Sequence, residues 1–224
     1  MRDVFIIGDS HADALRNAFL SHGWRVHGGA LHMGRIFEAP FFDVSEGHLS
    51  FHDELAQANF ARALSSAGVA RMADLQMPVL STMGFNTNRL AGRLWIKEGD
   101  KPSDEPPTWS QAVVEAVVDG ARASLLEFYR HLPIGCTYAV LSPQRARVAW
   151  LPTIAQIEDI FTRKLTNLGV HIVDVRRETT DSDGLLRSEF WRVDGKDHVH
   201  ANEDYGHVVM RRLELMLAVQ STGS

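Results

Sequence analysis

The chain has 224 residues, is 45% hydrophobic and 23% charged, and carries a net charge of −5. That composition is ordinary for one globular domain with enough chain to bury a core, and the expectation is a single domain over 1–224. The acidic balance, with a pI near 6.1, gives no electrostatic reason to expect nucleic acid or an anionic membrane as partner. The one cysteine, Cys136, excludes an intrachain disulfide. It borders an apolar run and reads as a buried structural thiol.

The chain opens on Val4-Phe5-Ile6-Ile7, which stops at Gly8-Asp9-Ser10-His11. The run is too short for the apolar core of a secretory signal. No segment approaches the ~20 apolar residues of a membrane span. A cytoplasmic protein is therefore the expectation. The run reads as a strand, and Ala12–His22, with Leu15, Ala18 and Phe19 on one face, reads as a helix stopped by Gly23.

Trp24–Met33 reads as a second strand with Gly34 near its end, and Arg35–Leu49, rich in aromatics, as an irregular excursion suited to a lid or a substrate wall. Ser50 and Asp53 resemble a capping box for a helix that ends at Gly68. Val79–Met83 is a third strand, leading into Gly84-Phe85-Asn86-Thr87-Asn88. Lys97–Pro107 reads as a polar loop. Thr108 and Gln111 suggest a cap for a long helix reaching about Leu132, with Val114, Val117, Ala121, Leu125 and Phe128 on its face. Thr137–Leu141 is a fourth strand, Thr153 and Gln156 suggest a cap for the next helix, and Val170–Val175 is a fifth strand. After the polar stretch Arg176–Arg187, Asn202 reads as the N-cap of the last helix. Strands and helices alternate, and the strands are short continuous apolar runs. That is the pattern of a parallel sheet covered by helices on both faces.

Chemistry concentrates at strand ends. Ser10 follows the first strand, where a helix N-terminus offers free N–H groups. A serine hydroxyl is a weak nucleophile and needs a base. Eleven histidines make any one of them uninformative. Asp197-His198-Val199-His200, ahead of the last helix, is more telling: an Asp three residues before a His in a loop can turn back onto the imidazole and set its tautomer. Acyl transfer also needs donors for an oxyanion. The Ser10 N–H, a glycine after the second strand and an amide after the third would supply them, and Gly34 and Asn86 occupy those places.

These residues together resemble the SGNH hydrolases, also called GDSL-type esterases and lipases. Gly8-Asp9-Ser10 resembles the first sequence block, with His11 where many members have leucine. Gly34 resembles the second-block glycine, with Gly29 a rival. Gly84-Phe85-Asn86 resembles the third block, with Thr87 where aspartate is usual. Asp197-His198-Val199-His200 resembles the fifth. The resemblance implies a flavodoxin-like three-layer α/β/α fold with a five-stranded parallel sheet in the order 2-1-3-4-5. It implies Ser10 as nucleophile, His200 as general base, Asp197 as its orienting partner, and Ser10, Gly34 and Asn86 as the oxyanion hole. It implies no cofactor and no metal.

A second resemblance competes at the same residues. Asp9 and His11 look like the opening Asp-x-His of calcineurin-like metallophosphoesterases, and His198-Val199-His200 like their closing His-x-His. Such a site needs further ligands at intermediate strand ends, and after the third strand the chain supplies Gly-Phe-Asn-Thr-Asn with no histidine. Asp9 then reads as a turn-shaping residue. A non-catalytic binding protein on the same fold is a third reading, and acyl transfer to a glycan a fourth. The expected substrate is a small O-acyl ester, with a carbohydrate O-acetyl group as the favoured case. Arg35, Arg89, Arg93 and Trp191 lie close enough to the motifs in sequence to contact it, although ion pairing and packing are the commoner uses of such residues. The aromatics of the excursion, Phe37, Phe41, Phe42 and Phe51, more often pack an excursion onto the body than wall a site.

Overall fold

The structure is a computed structural model and describes residues 2–95, 109–143, 148–192 and 200–222. Its centre is β1 (Asp3–Gly8), whose interior residues are fully buried. Side chains alternate across a strand. Val4 and Ile6 therefore enter one hydrophobic core, and Phe5 and Ile7 enter another on the opposite face.

On one face α1 (Ala12–Ser21) packs Ala12, Leu15 and Phe19 against the sheet. Next come β2 (Arg25–Ala30) and a 3-10 turn over Gly34–Glu38. β3 (Phe42–Ser45) and β4 (His48–Phe51) form a small antiparallel hairpin. α2 (Glu54–Ala67) covers the other face of the sheet. β5 (Val79–Ser81) is followed by α3 (Thr87–Trp95). Then come α4 (Gln111–Arg130), β6 (Thr137–Val140), α5 (Leu151–Asn167), β7 (His171–Val173), the short α6 (Arg176–Thr179) and α7 (Glu203–Thr222).

The main sheet is parallel, in the order β2-β1-β5-β6-β7. With the hairpin set aside, this is the 2-1-3-4-5 order expected from the sequence. α1 and α7 cover one face, and α2, α4 and α5 the other. β1 and β5 are neighbours at the point where the winding reverses, and such sheets bind ligands outside the C-terminal ends of those strands. Among the described residues no helix is long and apolar enough to cross a membrane.

Several boundaries differ from the sequence reading for local reasons. The 35–49 stretch is not irregular: Ser45 pairs with His48 across a two-residue turn, with φ of 51° at Glu46 and 78° at Gly47. Both turn residues carry positive φ, as a type I′ hairpin requires. The hairpin lays Phe41, Phe42 and Phe51 onto Phe128 of α4, with ring centroids 5.6–5.9 Å apart. These aromatics are core. α2 is capped by Asp53, whose carboxylate accepts from Ala56 N at 2.9 Å, so Ser50 is not its cap. α4 is capped by Ser110, while Thr108 and the 97–107 loop lie outside the described residues. α5 begins two residues before Thr153, with Pro152 in its first turn and Thr153 buried inside. Asn202 caps α7 as expected, accepting from Tyr205 N at 3.2 Å. Cys136 is half-buried, and burial pushes its thiol up.

Candidate active site

The site begins where β1 ends. A Cβ on Gly8 would sit 2.0 Å from Thr82 Oγ1, so the ends of β1 and β5 can approach this closely only with glycine there. Thr82 Oγ1 donates to Asp9 Oδ1 at 3.0 Å and accepts from Asp9 N at 3.2 Å. Asp9 Oδ1 also accepts from His11 N at 3.0 Å, and Ala12 N donates to Asp9 O at 2.9 Å. Asp9 is 2% exposed and its carboxylate ties the turn to β5. This is the turn-shaping role read from the sequence.

The turn presents Ser10, and His200 Nε2 lies 2.6 Å from Ser10 Oγ. The two are 190 positions apart in the chain and are joined only by the fold. His200 is anchored from behind. Ala201 pairs with Trp191, Asn202 N donates to Phe190 O at 2.9 Å, and Asn202 Nδ2 donates to Glu189 O at 2.7 Å. Tyr205, one turn into α7, donates its hydroxyl to Leu141 O at 2.7 Å in the core. The His11 ring lies 5.1 Å from that of His200, tilted by 47°. Asp197 and His198 lie outside the described residues.

A second corner follows β5. The Tyr129 hydroxyl donates to Met83 O at 3.0 Å and lies 2.8 Å from Ser81 Oγ, whose own hydroxyl can donate to it, which holds the strand end. Gly84 has φ of 94°, and a Cβ there would meet the Phe161 ring at 2.7 Å; a side chain is excluded both by the backbone and by the space. Phe85 packs inward, 1% exposed. Asn86 Oδ1 accepts from Arg122 Nη2 at 3.1 Å, and Asn86 Nδ2 donates to Glu38 Oε1 at 3.2 Å. A Cβ on Gly34 would lie 2.9 Å from Asp9 Oδ2 and 3.3 Å from Asn86 Nδ2. Gly34 thus borders both the Ser10 turn and Asn86. Its rival Gly29 faces the Arg16 side chain instead.

The residues read as substrate contacts are placed differently from one another. Arg89 and Arg93 both pair with Glu38, at 2.7 and 2.5 Å, and their side chains are about half exposed. Arg35 is exposed. Trp191 is 45% exposed, with its indole N–H on Leu186 O at 2.8 Å.

Sequence reasoning missed Arg122, Glu38 and Thr82. Arg122 left a signal: it falls on the α4 stripe that buries Val118, Leu125 and Phe128, where a charged residue at apolar spacing calls for a partner. Burial pushes its pKa down to about 10, against the pull of Glu38.

The architecture is the flavodoxin-like α/β/α sandwich that the SGNH resemblance implied. One solved structure agrees at the level of fold. A protein from Streptococcus pneumonia, provisionally described as a platelet activating factor, superposes with a TM-score of 0.52 at 14% identity, covering 96% of this chain and 84% of that one. An extracellular lipase from Streptomyces rimosus gives a TM-score of 0.49 at 11% identity over 94% of this chain and 99% of its own. A lipase/acylhydrolase from Enterococcus faecalis gives 0.44 at 12% identity over 95% of both. No family model matches the chain, and no curated protein does.

Proposed function

We propose that this chain is a serine-dependent, metal-independent hydrolase of small O-acyl esters, with a carbohydrate O-acetyl group as the favoured substrate. The observation that carries the reading is the 2.6 Å contact between Ser10 Oγ and His200 Nε2 at the switch point of the sheet. That distance suits transfer of the serine proton to the imidazole as the oxygen attacks an acyl carbon.

The mechanism follows from these roles. Ser10 Oγ bonds to the carbonyl carbon while His200 takes its proton. The carbonyl oxygen becomes an oxyanion held by the Ser10 N–H, the Gly34 N–H and the Asn86 carboxamide. The intermediate collapses, His200 gives its proton to the departing alcohol, and the acyl group stays on Ser10. Water, activated by His200, then repeats the sequence and frees the acid. Asp197, three residues before His200, would orient the imidazole and stabilise its charged form. Arg35, Arg89 and Trp191 remain the proposed substrate contacts. If an alcohol of a glycan outcompetes water at the acyl-enzyme, the same groups perform acyl transfer.

The test uses a fluorophosphonate serine trap and p-nitrophenyl acetate, on wild type and Ser10→Ala, with and without excess chelator. The reading expects labelling of Ser10 and chelator-resistant hydrolysis that disappears in Ser10→Ala. Chelator-sensitive hydrolysis of p-nitrophenyl phosphate that survives Ser10→Ala would overturn it in favour of a metallophosphoesterase. Adding a glycan acceptor and weighing acylated product against free acetate separates transfer from hydrolysis.

A further inference from the structure

Arg122 is a buried charge that the mechanism above does not use. It sits in mid-helix on α4 and is 2% exposed. Its guanidinium carbon lies 6.0 Å from the centroid of the Phe161 ring. Burying a guanidinium among aromatic and aliphatic side chains is costly, and a well-packed apolar residue would usually serve stability at least as well. Its contact with Asn86 gives the charge a use.

A guanidinium can only donate hydrogen bonds, and an ionised carboxylate can only accept them. The Asn86 carboxamide lies between one of each: Arg122 Nη2 is 3.1 Å from Oδ1, and Glu38 Oε1 is 3.2 Å from Nδ2. The flipped amide would set NH₂ against the guanidinium and oxygen against the carboxylate. Both contacts would repel, so these neighbours decide which end of the amide faces Gly34. Nδ2 carries two hydrogens, and the bond to Glu38 uses one. A charged donor on the amide oxygen also draws density from the nitrogen and strengthens the remaining N–H as a donor.

We propose that Arg122 is the positioning residue of this site: it grips Asn86 by its oxygen so that Nδ2 presents an N–H to the developing oxyanion. The inference rests on the reading of Asn86 as an oxyanion donor. It makes Arg122 important in the transition state more than in substrate binding, so its loss lowers kcat and leaves KM nearly unchanged.

The experiment measures p-nitrophenyl acetate hydrolysis by wild type, Asn86→Ala, Arg122→Met, Arg122→Lys and the double variant Arg122→Met with Asn86→Ala. A melting temperature is taken for each. Asn86→Ala is expected to lower kcat by about 10²–10³-fold, the usual loss for one oxyanion donor. Arg122→Met should lower kcat about tenfold or more with KM within about twofold, and Arg122→Lys should recover part of the loss. In the Asn86→Ala background the Arg122→Met change should have almost no effect, because an interaction made through Asn86 cannot be lost twice. The Asn86 side-chain amide signal, identified as the ¹⁵N–¹H pair missing in Asn86→Ala, should shift in Arg122→Met.

The proposal is overturned if Arg122→Met leaves kcat unchanged while Asn86→Ala lowers it, or if Arg122→Met costs equally in both backgrounds. Should Arg122→Met melt below the assay temperature, Arg122→Gln in both backgrounds makes the same comparison. If Asn86→Ala is silent while Ser10→Ala is inactive, the Asn86 assignment and this inference fall together and the serine hydrolase stands. Activity that survives Ser10→Ala removes the parent reading itself.

Discussion

The two corners of the site are built in different ways. At the end of β1, Asp9, Ser10 and His11 are consecutive, and the Asp9 carboxylate closes the turn onto His11 N two residues away. From the neighbouring strand end, Thr82 reaches in to Asp9. At the end of β5, Asn86 is held by Glu38 and Arg122, respectively 48 and 36 positions away, and Glu38 is in turn paired with Arg89 and Arg93. The first corner is a local turn that needs one long-range tether. At the second, short-range bonds such as Met83 N to Ser81 Oγ shape the backbone beside Gly84, but Glu38 and Arg122, which hold the Asn86 side chain, come from far along the chain, from a 3-10 turn and from α4. The nucleophile thus sits on the more self-sufficient corner, and the oxyanion amide on the one that depends on packing.

That contrast can be broken at either end. Ser10→Ala should remove esterase turnover by about 10⁴-fold or more with the melting temperature unchanged, since a nucleophile has no substitute; steady-state kinetics beside thermal denaturation checks it. Asn86→Ala should cost less, about 10²–10³ in kcat. Unlike Ser10→Ala it should also lower stability, because the Arg122 guanidinium loses its acceptor in a buried place. Denaturant unfolding of the two variants side by side reads that difference.

Thr82→Val keeps the shape of the side chain but takes the acceptor from buried Asp9 N and one of the two donors from Asp9 Oδ1, which keeps His11 N. The expected loss is about 1–3 kcal/mol of stability, with a fall in kcat as Ser10 drifts from His200. Equal stability and equal kcat in Thr82→Val would show that the turn needs no tether at all.

The smallest effect is expected away from both corners, at Asp174. Burial alone would raise its carboxyl. Arg176, bonding it through its side chain at 2.6 and 2.9 Å and through its backbone N–H at 2.9 Å, outweighs that and holds it below the usual range. A depressed carboxyl adds stability that is complete above the ordinary carboxylate range and is lost as pH falls through the folded value. Asp174→Asn should therefore cost about 1 kcal/mol or less at neutral pH, since the pair is solvent-screened. The gap to wild type should close on acidification, as read from urea midpoints at a series of pH values.

Legibility in the sequence followed the same divide. The alternation of buried apolar runs with amphipathic helices gave the parallel sheet and its covering layers, because strand burial on two faces and helix burial on one are properties of the local pattern. Ser10 and Asn86 were visible as strand-end residues, and Asn202 as a cap. The β3–β4 hairpin was not, because its turn is Glu46-Gly47: the glycine suits positive φ, but a glutamate at φ 51° is not among the residues that announce such a turn. For α2 and α4 the cap falls two or three positions from the first candidate because several serines, threonines and aspartates compete near those helix starts, and packing chooses among them; α5 instead starts after Trp150, with Pro152 in its first turn and no side-chain cap.

The sequence by itself determined the kind of fold, the strand ends that carry reactive groups, and a histidine loop ahead of the last helix. Each is a short-range matter of burial period, turn chemistry or residue spacing. Only the tertiary structure decided that His200 meets Ser10, that Gly34 and not Gly29 borders Asn86, and that Arg122 holds the amide. These contacts join residues tens to nearly two hundred positions apart, and their geometry is set by the winding of the sheet and the close approach of its helices.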